Sequence, residues 1–296
     1  MLTTPSTLEE LVAPLMEAEF LALLRARKLT LLRGSDSGRY TTLLNWTMLL
    51  EMIERGAHPR NLTEFCLVRE SVMVPPEHWL TKSPADGTNK VDTAKVAAFL
   101  AQGFSLVVTR IEEHAPHLAA LCDNIRSRLF EQIKVGVIVT TGKAGAFTLH
   151  YDPEDLIILQ VEGSKRWKIY GPAVSNPVIG MAKPSPPPEE TPIFDEVLNA
   201  GDFLFVPGGN WHRCESGPTR SVHLGIFFQP PTGWDFIKEF TRELLLEEAF
   251  RTPLTRLDGA SERATLEADF KIRAIETINR LTLDDFFAGW IRVQGS

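Results

Sequence analysis

Between residues 134 and 229 short apolar and β-branched runs recur at close intervals: Val135 to Thr140, Leu156 to Val161, Arg166 to Tyr170, Phe203 to Val206 and Ser221 to Phe228. Turn residues punctuate them, and strands this short and this regularly interrupted suit a barrel or jelly roll. One interval departs from the rhythm. Gly171 to Pro192 holds seven of the 20 prolines, which reads as a long loop rather than a strand. Loops of that length inside a compact domain tend to carry function.

Helices are expected on both sides of this region. Ser6 with Glu9 reads as a capping box, and Leu8, Leu11, Val12, Leu15, Met16 and Phe20 follow at helical spacing, predicting one helix of about five turns. A second is predicted over Leu44 to Arg55, capped by Asn45 and stopped at Gly56. A third runs over Val91 to Gln102, started at Asp92 and ended at Gly103, and a fourth is marked by Leu118, Leu121, Cys122, Ile125 and Leu129. Ser105 to Thr109 reads as a buried strand. Beyond Pro230 and Pro231, residues 234–249 and 262–283 each carry an apolar stripe at helical spacing. The expected division is an N-terminal helical flank over 1–90, a barrel over 91–230 and a C-terminal helical segment over 231–296.

Composition narrows the class. With 44% hydrophobic and 23% charged residues, the 296-residue chain can bury a core without staples, which excludes disorder, collagen and coiled coil. No apolar run is long enough to cross a bilayer, and Glu9, Glu10, Glu17 and Glu19 stand where a signal peptide needs apolar residues, so a cytoplasmic protein is expected. Cys66, Cys122 and Cys214 form no Cys-x-x-Cys pair, so a metal would have to be held by histidine and carboxylate. A net charge of −7 disfavours nucleic acid as partner.

His150-Tyr151-Asp152 places an imidazole and a carboxylate two residues apart, on one face of an extended segment. The stretch from Gly201 to His212 supplies a further candidate: a strand, a Pro-Gly-Gly turn, then a histidine. Two histidines and one carboxylate make the facial triad of non-haem Fe(II) oxygenases, which leaves three coordination positions for reactants. By itself the first pair reads equally well as a surface histidine beside a turn aspartate.

The string HYDPEDLIILQVEGSKRWKIYGP, His150 to Pro172, resembles the jumonji-type (JmjC) branch of the cupin oxygenases, most closely the ribosomal-oxygenase group. The match continues through AGDFLFVPGGNWHRCES and RSVHLGIFF, and upstream through VPPEHW at Val74 to Trp79. It implies a mainly β core, a double-stranded β-helix of the cupin or jelly-roll type, flanked by N-terminal helices and a C-terminal helical segment. It also implies Fe(II) held by His150, Asp152 and His212, and 2-oxoglutarate as cosubstrate, anchored by the basic residue fifteen positions after the first histidine, Lys165. Alternation agrees: Lys165 shares the apolar face of Trp167 and Ile169, where a lysine either meets an anion or snorkels to the strand mouth. His223 falls where relatives carry a polar side chain near the cosubstrate; it either points into the barrel or is a core histidine satisfied by a carbonyl. Residues Gly142 to Thr148 depart from the family pattern, leaving Thr148 as a candidate cosubstrate contact.

The activity implied is hydroxylation of a C–H bond in a protein or peptide side chain, with succinate and carbon dioxide formed from the cosubstrate. The same chemistry on a free amino acid or natural-product intermediate, a metal cupin without 2-oxoglutarate, and a non-catalytic binding barrel are the alternatives. Because related oxygenases dimerise through helices after the barrel, the tail stripes are expected to build a homodimer. His58, His78, His114 and His117 read as solvated, Lys183 to Pro188 as a rigid loop, and Trp167 and Trp211 as packing residues.

Overall fold

The computed structural model describes residues 4–55, 64–83, 87–129, 132–143, 145–181, 191–217, 219–254 and 259–294. His58 and the Lys183 to Pro188 string lie outside them. The chain opens with α1 (Leu8–Val12), α2 (Glu17–Arg25), β1 (Thr30–Leu32) and α3 (Trp46–Glu54). The hairpin β2 (Phe65–Arg69) and β3 (Val72–Met73) follows, then β4 (Leu80–Lys82), β5 (Asn89–Val91), α4 (Thr93–Ala101), β6 (Ser105–Thr109) and α5 (Pro116–Leu129). The barrel strands are β7 (Ile133–Thr140), β8 (Asp155–Glu162), β9 (Ser164–Pro172), β10 (Phe194–Asn199), β11 (Phe203–Val206), β12 (Asn210–Ser216) and β13 (Ser221–Phe228). Four helices end the chain: α6 (Gly233–Leu244), α7 (Glu248–Arg251), α8 (Ala260–Arg280) and α9 (Leu283–Gln294).

An eight-stranded antiparallel sheet runs in the order β1-β11-β8-β13-β7-β6-β2-β3, and a three-stranded one in the order β10-β9-β12. A single bridge, His150 against His212, extends the small sheet on its β12 side. In sequence, the chain therefore visits the large sheet at β7, the small one at His150, the large at β8, the small at β9 and β10, then large, small, large at β11, β12 and β13. That alternation is the double-stranded β-helix expected from the sequence. The space between the sheets is filled by Leu156, Ile158, Leu204 and Val206 from the large sheet and Trp167, Ile169 and Leu198 from the small one.

Asn45 and Asp92 cap α3 and α4 as expected. The first helix does not run five turns. It breaks after Val12, where Pro14 has no N–H to continue the ladder, and resumes at Glu17. The capping box is Thr7 with Glu10, while Ser6 adds its N–H and hydroxyl to the same Glu10 carboxylate. The residues Gly171 and Pro172 belong to β9. The strand β10 gave no sequence signal, because Asp195 and Glu196 sit exposed on its outer edge and interrupt the apolar alternation.

The residues divide into two compact units, Met1–Arg128 with Ile133–Gln229, and Leu129–Gln132 with Pro230–Ser296. Within the second, helices cover part of their apolar stripes against one another: Phe236 meets Phe286 at 5.7 Å between centroids and Phe250 stacks on Phe270 at 5.3 Å. Trp234, Ile272 and Ile275 stay more than half exposed.

One buried carboxylate ties the barrel's turns together. Asp155, 1% exposed, accepts from the Gly208 N–H at 2.7 Å and pairs with Arg27 at 2.6 Å. Gly208 and Gly209 belong to the turn before β12, and no side chain fits there: a Cβ on Gly208 would lie 2.3 Å from the Pro153 carbonyl oxygen, one on Gly209 2.5 Å from that of Val174. Gly209 also donates to the Asp152 carbonyl at 2.8 Å. Replacing Asp155 with alanine should cost about 2–3 kcal/mol of unfolding free energy in urea denaturation, because it orphans a buried N–H and half an ion pair. A loss below about 0.5 kcal/mol, ordinary for a surface change, would show that the carboxylate does not hold the turn.

Candidate metal centre and its cavity

His150 leaves the loop before β8, and Asp152 follows it by two residues on the same face; His212 sits in β12 directly across from His150. Two backbone bonds set this juxtaposition, His150 N–H to the His212 carbonyl at 3.1 Å and His212 N–H to the His150 carbonyl at 2.7 Å. The imidazoles lie 4.3 Å apart between centroids, and one ligand atom from each of the three side chains falls within 4.8 Å of the others. Nε2 of His212 is 3.6 Å and Nε2 of His150 3.9 Å from Oδ2 of Asp152.

Tautomer and ring orientation are fixed from behind. Nδ1 of His150 meets the Thr148 carbonyl at 2.8 Å, and Nδ1 of His212 meets the Asn210 carbonyl at 3.0 Å. A carbonyl can only accept, so each Nδ1 carries the proton and each Nε2 turns a lone pair toward Asp152. Burial pushes the His212 imidazolium down to about 4, helped by the neighbouring His150 and opposed by Asp152 and the Asn210 carbonyl. The ring is therefore a neutral ligand at physiological pH. Two imidazole nitrogens and one carboxylate oxygen suit a divalent first-row metal such as Fe(II).

The trio lines a cavity of about 250 Å³ whose walls are mostly apolar, among them Ile138, Leu156, Ile158, Trp167 and Phe227. Lys165 opens into the same cavity, 2% exposed. Its Nζ is 3.1 Å from the Thr140 hydroxyl, which in turn bonds Ser105 at 3.0 Å; among the described residues no carboxylate pairs with it. Burial accordingly pulls its ammonium below the usual lysine range, with the nearby Cys214 acting weakly the other way. An ammonium in that position is stabilised by an anionic ligand.

His223 also faces the cavity, 4% exposed, with a buried Nδ1 that has no hydrogen-bond partner among the described residues, so no carbonyl satisfies that nitrogen. Burial and the Lys165 charge hold it well below the usual histidine range. Thr148 lies elsewhere: exposed, outside the cavity lining, its hydroxyl 3.0 Å from that of Ser71. Its carbonyl, not its side chain, serves the site. Sequence reasoning missed Cys214, which lines the cavity, and Thr140, whose hydroxyl accepts from the Lys165 ammonium. Both follow from alternation, Thr140 at the end of β7 and Cys214 two residues beyond His212, once the strands are placed in register with Ser221 and Trp167. The indole N–H of Trp167 is another buried group without a partner among the described residues, and its ring packs 5.7 Å from both His212 and His223.

Two buried neutral imidazoles make the metal-free chain sensitive to acid. Once unfolded, both histidines take up protons below about 6.5, whereas the folded chain keeps them neutral, so stability should fall as pH drops from 6.5 toward 4. Urea denaturation across that range should show the decline, and His223→Gln should flatten it; a parent whose stability is constant from pH 7 to 5 would contradict the burial of both rings.

A JmjC-domain family model matches residues 108–236. The bifunctional lysine-specific demethylase and histidyl-hydroxylase NO66 of Drosophila persimilis is 25% identical over 254 residues, covering 86% of this chain and 36% of that protein. Ribosomal oxygenase 2 of Rattus norvegicus is 34% identical over 120 residues, 38% of this chain and 25% of that protein. The chain thus spans about a third or less of the length of the curated relatives it matches. Among solved structures, Escherichia coli YcfD superposes over 93% of this chain and 70% of its own with a TM-score of 0.59 at 17% identity. The same protein as a ribosomal oxygenase in complex with cobalt and 2-oxoglutarate gives 0.54 over 90% of this chain and 68% of its own, at 18% identity. Residues 108–236 thus match the JmjC domain, and the chain is similar to NO66 and ribosomal-oxygenase proteins in sequence and to YcfD in fold.

Proposed function

We propose that this chain is an Fe(II)- and 2-oxoglutarate-dependent oxygenase that hydroxylates a C–H bond on a protein or peptide side chain. One observation carries the reading: a buried lysine without a carboxylate partner among the described residues opens into the same cavity as two histidines and an aspartate whose ligand atoms converge. A cupin that needs only a metal, or a barrel that only binds, has no use for that cation. The likeness to YcfD, solved with cobalt and 2-oxoglutarate, and to relatives named as histidyl-hydroxylase and ribosomal oxygenase, supports the same reading.

His150, Asp152 and His212 would hold the iron, their Nε2 and Oδ2 atoms already turned toward one another. Iron bound there would supply the oxidising chemistry with dioxygen as the oxidant: one oxygen atom would enter succinate as 2-oxoglutarate loses carbon dioxide, and the other would become the hydroxyl of the C–OH formed from the C–H bond. Lys165 binds the distal carboxylate of the cosubstrate, with the Thr140 hydroxyl orienting its Nζ. His223 and Trp167 flank that end of the cavity and offer polar atoms to the bound acid. The apolar walls exclude water from the reacting centre and let a substrate side chain approach from the His150 side, where the imidazole is half-exposed. Positioning, rather than any acid or base on this chain, is the protein's contribution. Among the described residues no helix is long and apolar enough to cross a membrane.

Succinate release from 2-oxoglutarate with Fe(II) and ascorbate should vanish in His212→Ala and Asp152→Ala, since a three-ligand site has no spare. Lys165→Ala should weaken the cosubstrate by about 100-fold or more, the counterpart of roughly 3–5 kcal/mol for stranding one partner of a buried ion pair, while metal affinity stays near that of the parent. Cosubstrate binding unchanged in Lys165→Ala would overturn the anchor. A gain of one oxygen on cellular proteins, sought by mass spectrometry with and without the chain, identifies the substrate; a gain confined to free amino acids would replace the protein substrate.

We further propose that the chain forms a homodimer through the C-terminal helices, where Trp234, Ile272 and Ile275 leave apolar surface open. Light scattering should return twice the 33.1 kDa chain mass at micromolar concentration, and a particle of 33.1 kDa would contradict it.

A further inference from the structure

We infer that the tip of the β2–β3 hairpin, Glu70 and Ser71, is a clamp that positions His150 as a ligand; the inference rests on the metal reading above. The segment from Gly145 to His150 has little to hold it. Among the described residues, its sheet pairing is the single bridge of His150 to His212. On one side it lies against the backbone of β12, so close that a Cβ on Gly145 would fall 2.4 Å from the Cys214 carbonyl oxygen. On its other side stands the hairpin tip. The Glu70 N–H donates to the Gly145 carbonyl at 3.0 Å and the Ser71 N–H to the Ala146 carbonyl at 2.9 Å. Ser71 Oγ accepts from the Thr148 N–H at 3.0 Å and lies 3.0 Å from the Thr148 hydroxyl. Thr148, fixed at its N–H and its hydroxyl, presents the carbonyl that takes the Nδ1 proton of His150 at 2.8 Å. The relay runs from Ser71 through one residue, Thr148, to the ligand ring.

The backbone shows that the residue types are not those the turn alone would choose. Arg69 pairs with Val72, so Glu70 and Ser71 form a two-residue turn with φ of 52° and 66°. Turns of that kind favour Asn-Gly, because left-handed backbone is costly for other residues. A glycine at 71 would ease the turn, but it has no hydroxyl to give Thr148. Serine at this position gains nothing for the hairpin itself and everything for the segment leading to His150. Ser71 is thus a positioning residue, acting on the metal through Thr148.

The test uses the full chain and Co(II) alone as probe, titrated without cosubstrate and followed by the metal's visible spectrum. Ser71→Gly should change the thermal midpoint of the metal-free chain by no more than about 3 °C, since backbone relief offsets lost bonds. It should nonetheless weaken Co(II) binding roughly 10-fold, the size of effect seen when an outer partner of a ligating histidine is lost. Thr148→Val, which keeps the carbonyl and the N–H to Ser71 Oγ, should weaken binding less. Ser71→Asn, which tolerates left-handed backbone and keeps an acceptor, should recover part of the affinity. Co(II) affinity and spectrum equal to the parent in Ser71→Gly would overturn the clamp while leaving the metal site standing. A parent that binds no Co(II), or binds it undiminished in His212→Ala, would remove the metal reading and the clamp with it.

Discussion

Two backbone hydrogen bonds between His150 and His212 hold the whole arrangement together. They close the small sheet with a segment that has no other sheet pairing among the described residues, and they set the two imidazoles side by side because each residue's side chain leaves the bridge on the same face. Everything else in the site is arranged around that bridge. The turn before β12 delivers His212 only if its glycines can press against the Pro153 and Val174 carbonyls, and Asp155 and the Asp152 carbonyl hold that turn down. The aspartate that completes the ligand set is therefore anchored through its own backbone to the turn that supplies the second histidine.

The electrostatics of the cavity point in one direction. Burial keeps both cavity histidines other than His150 neutral and lowers the lysine, so the interior is short of negative charge apart from Asp152. A dianionic acid that chelates a divalent ion at one end and meets an ammonium at the other relieves both deficits at once. Neither a neutral sugar nor an apolar ligand would do so, which is why Lys165 separates the oxygenase reading from the other uses of a metal-binding barrel.

Much of this was legible in the chain itself, for identifiable reasons. Strands buried on both faces read as near-continuous apolar runs, so β6, β8, β11 and β13 are legible in the sequence within a residue or two, while alternation along β9 puts Lys165 on the inner face with Trp167. The three residues proposed as metal ligands stand out in the sequence because their spacing is local, in His150 and Asp152, or follows a glycine turn, in His212. What stayed hidden depends on partners distant in sequence. Thr140 meets Lys165 across 25 residues, and Ser71 reaches Thr148 across 77. Thr148 is a candidate cosubstrate contact in the sequence because its position beside His150 is visible there, while the hairpin that meets its hydroxyl is not. The first helix was overextended because apolar spacing continued through Pro14, where the missing N–H outweighs the pattern.

The central claim is that one site holds both a divalent metal and a dicarboxylate, and an anaerobic titration tests it most directly. Fe(II) added to the chain, followed by 2-oxoglutarate, should produce a visible charge-transfer band that saturates at one metal and one acid per chain and is absent in His212→Ala. A band that never forms, or that forms equally in His212→Ala, would contradict the account.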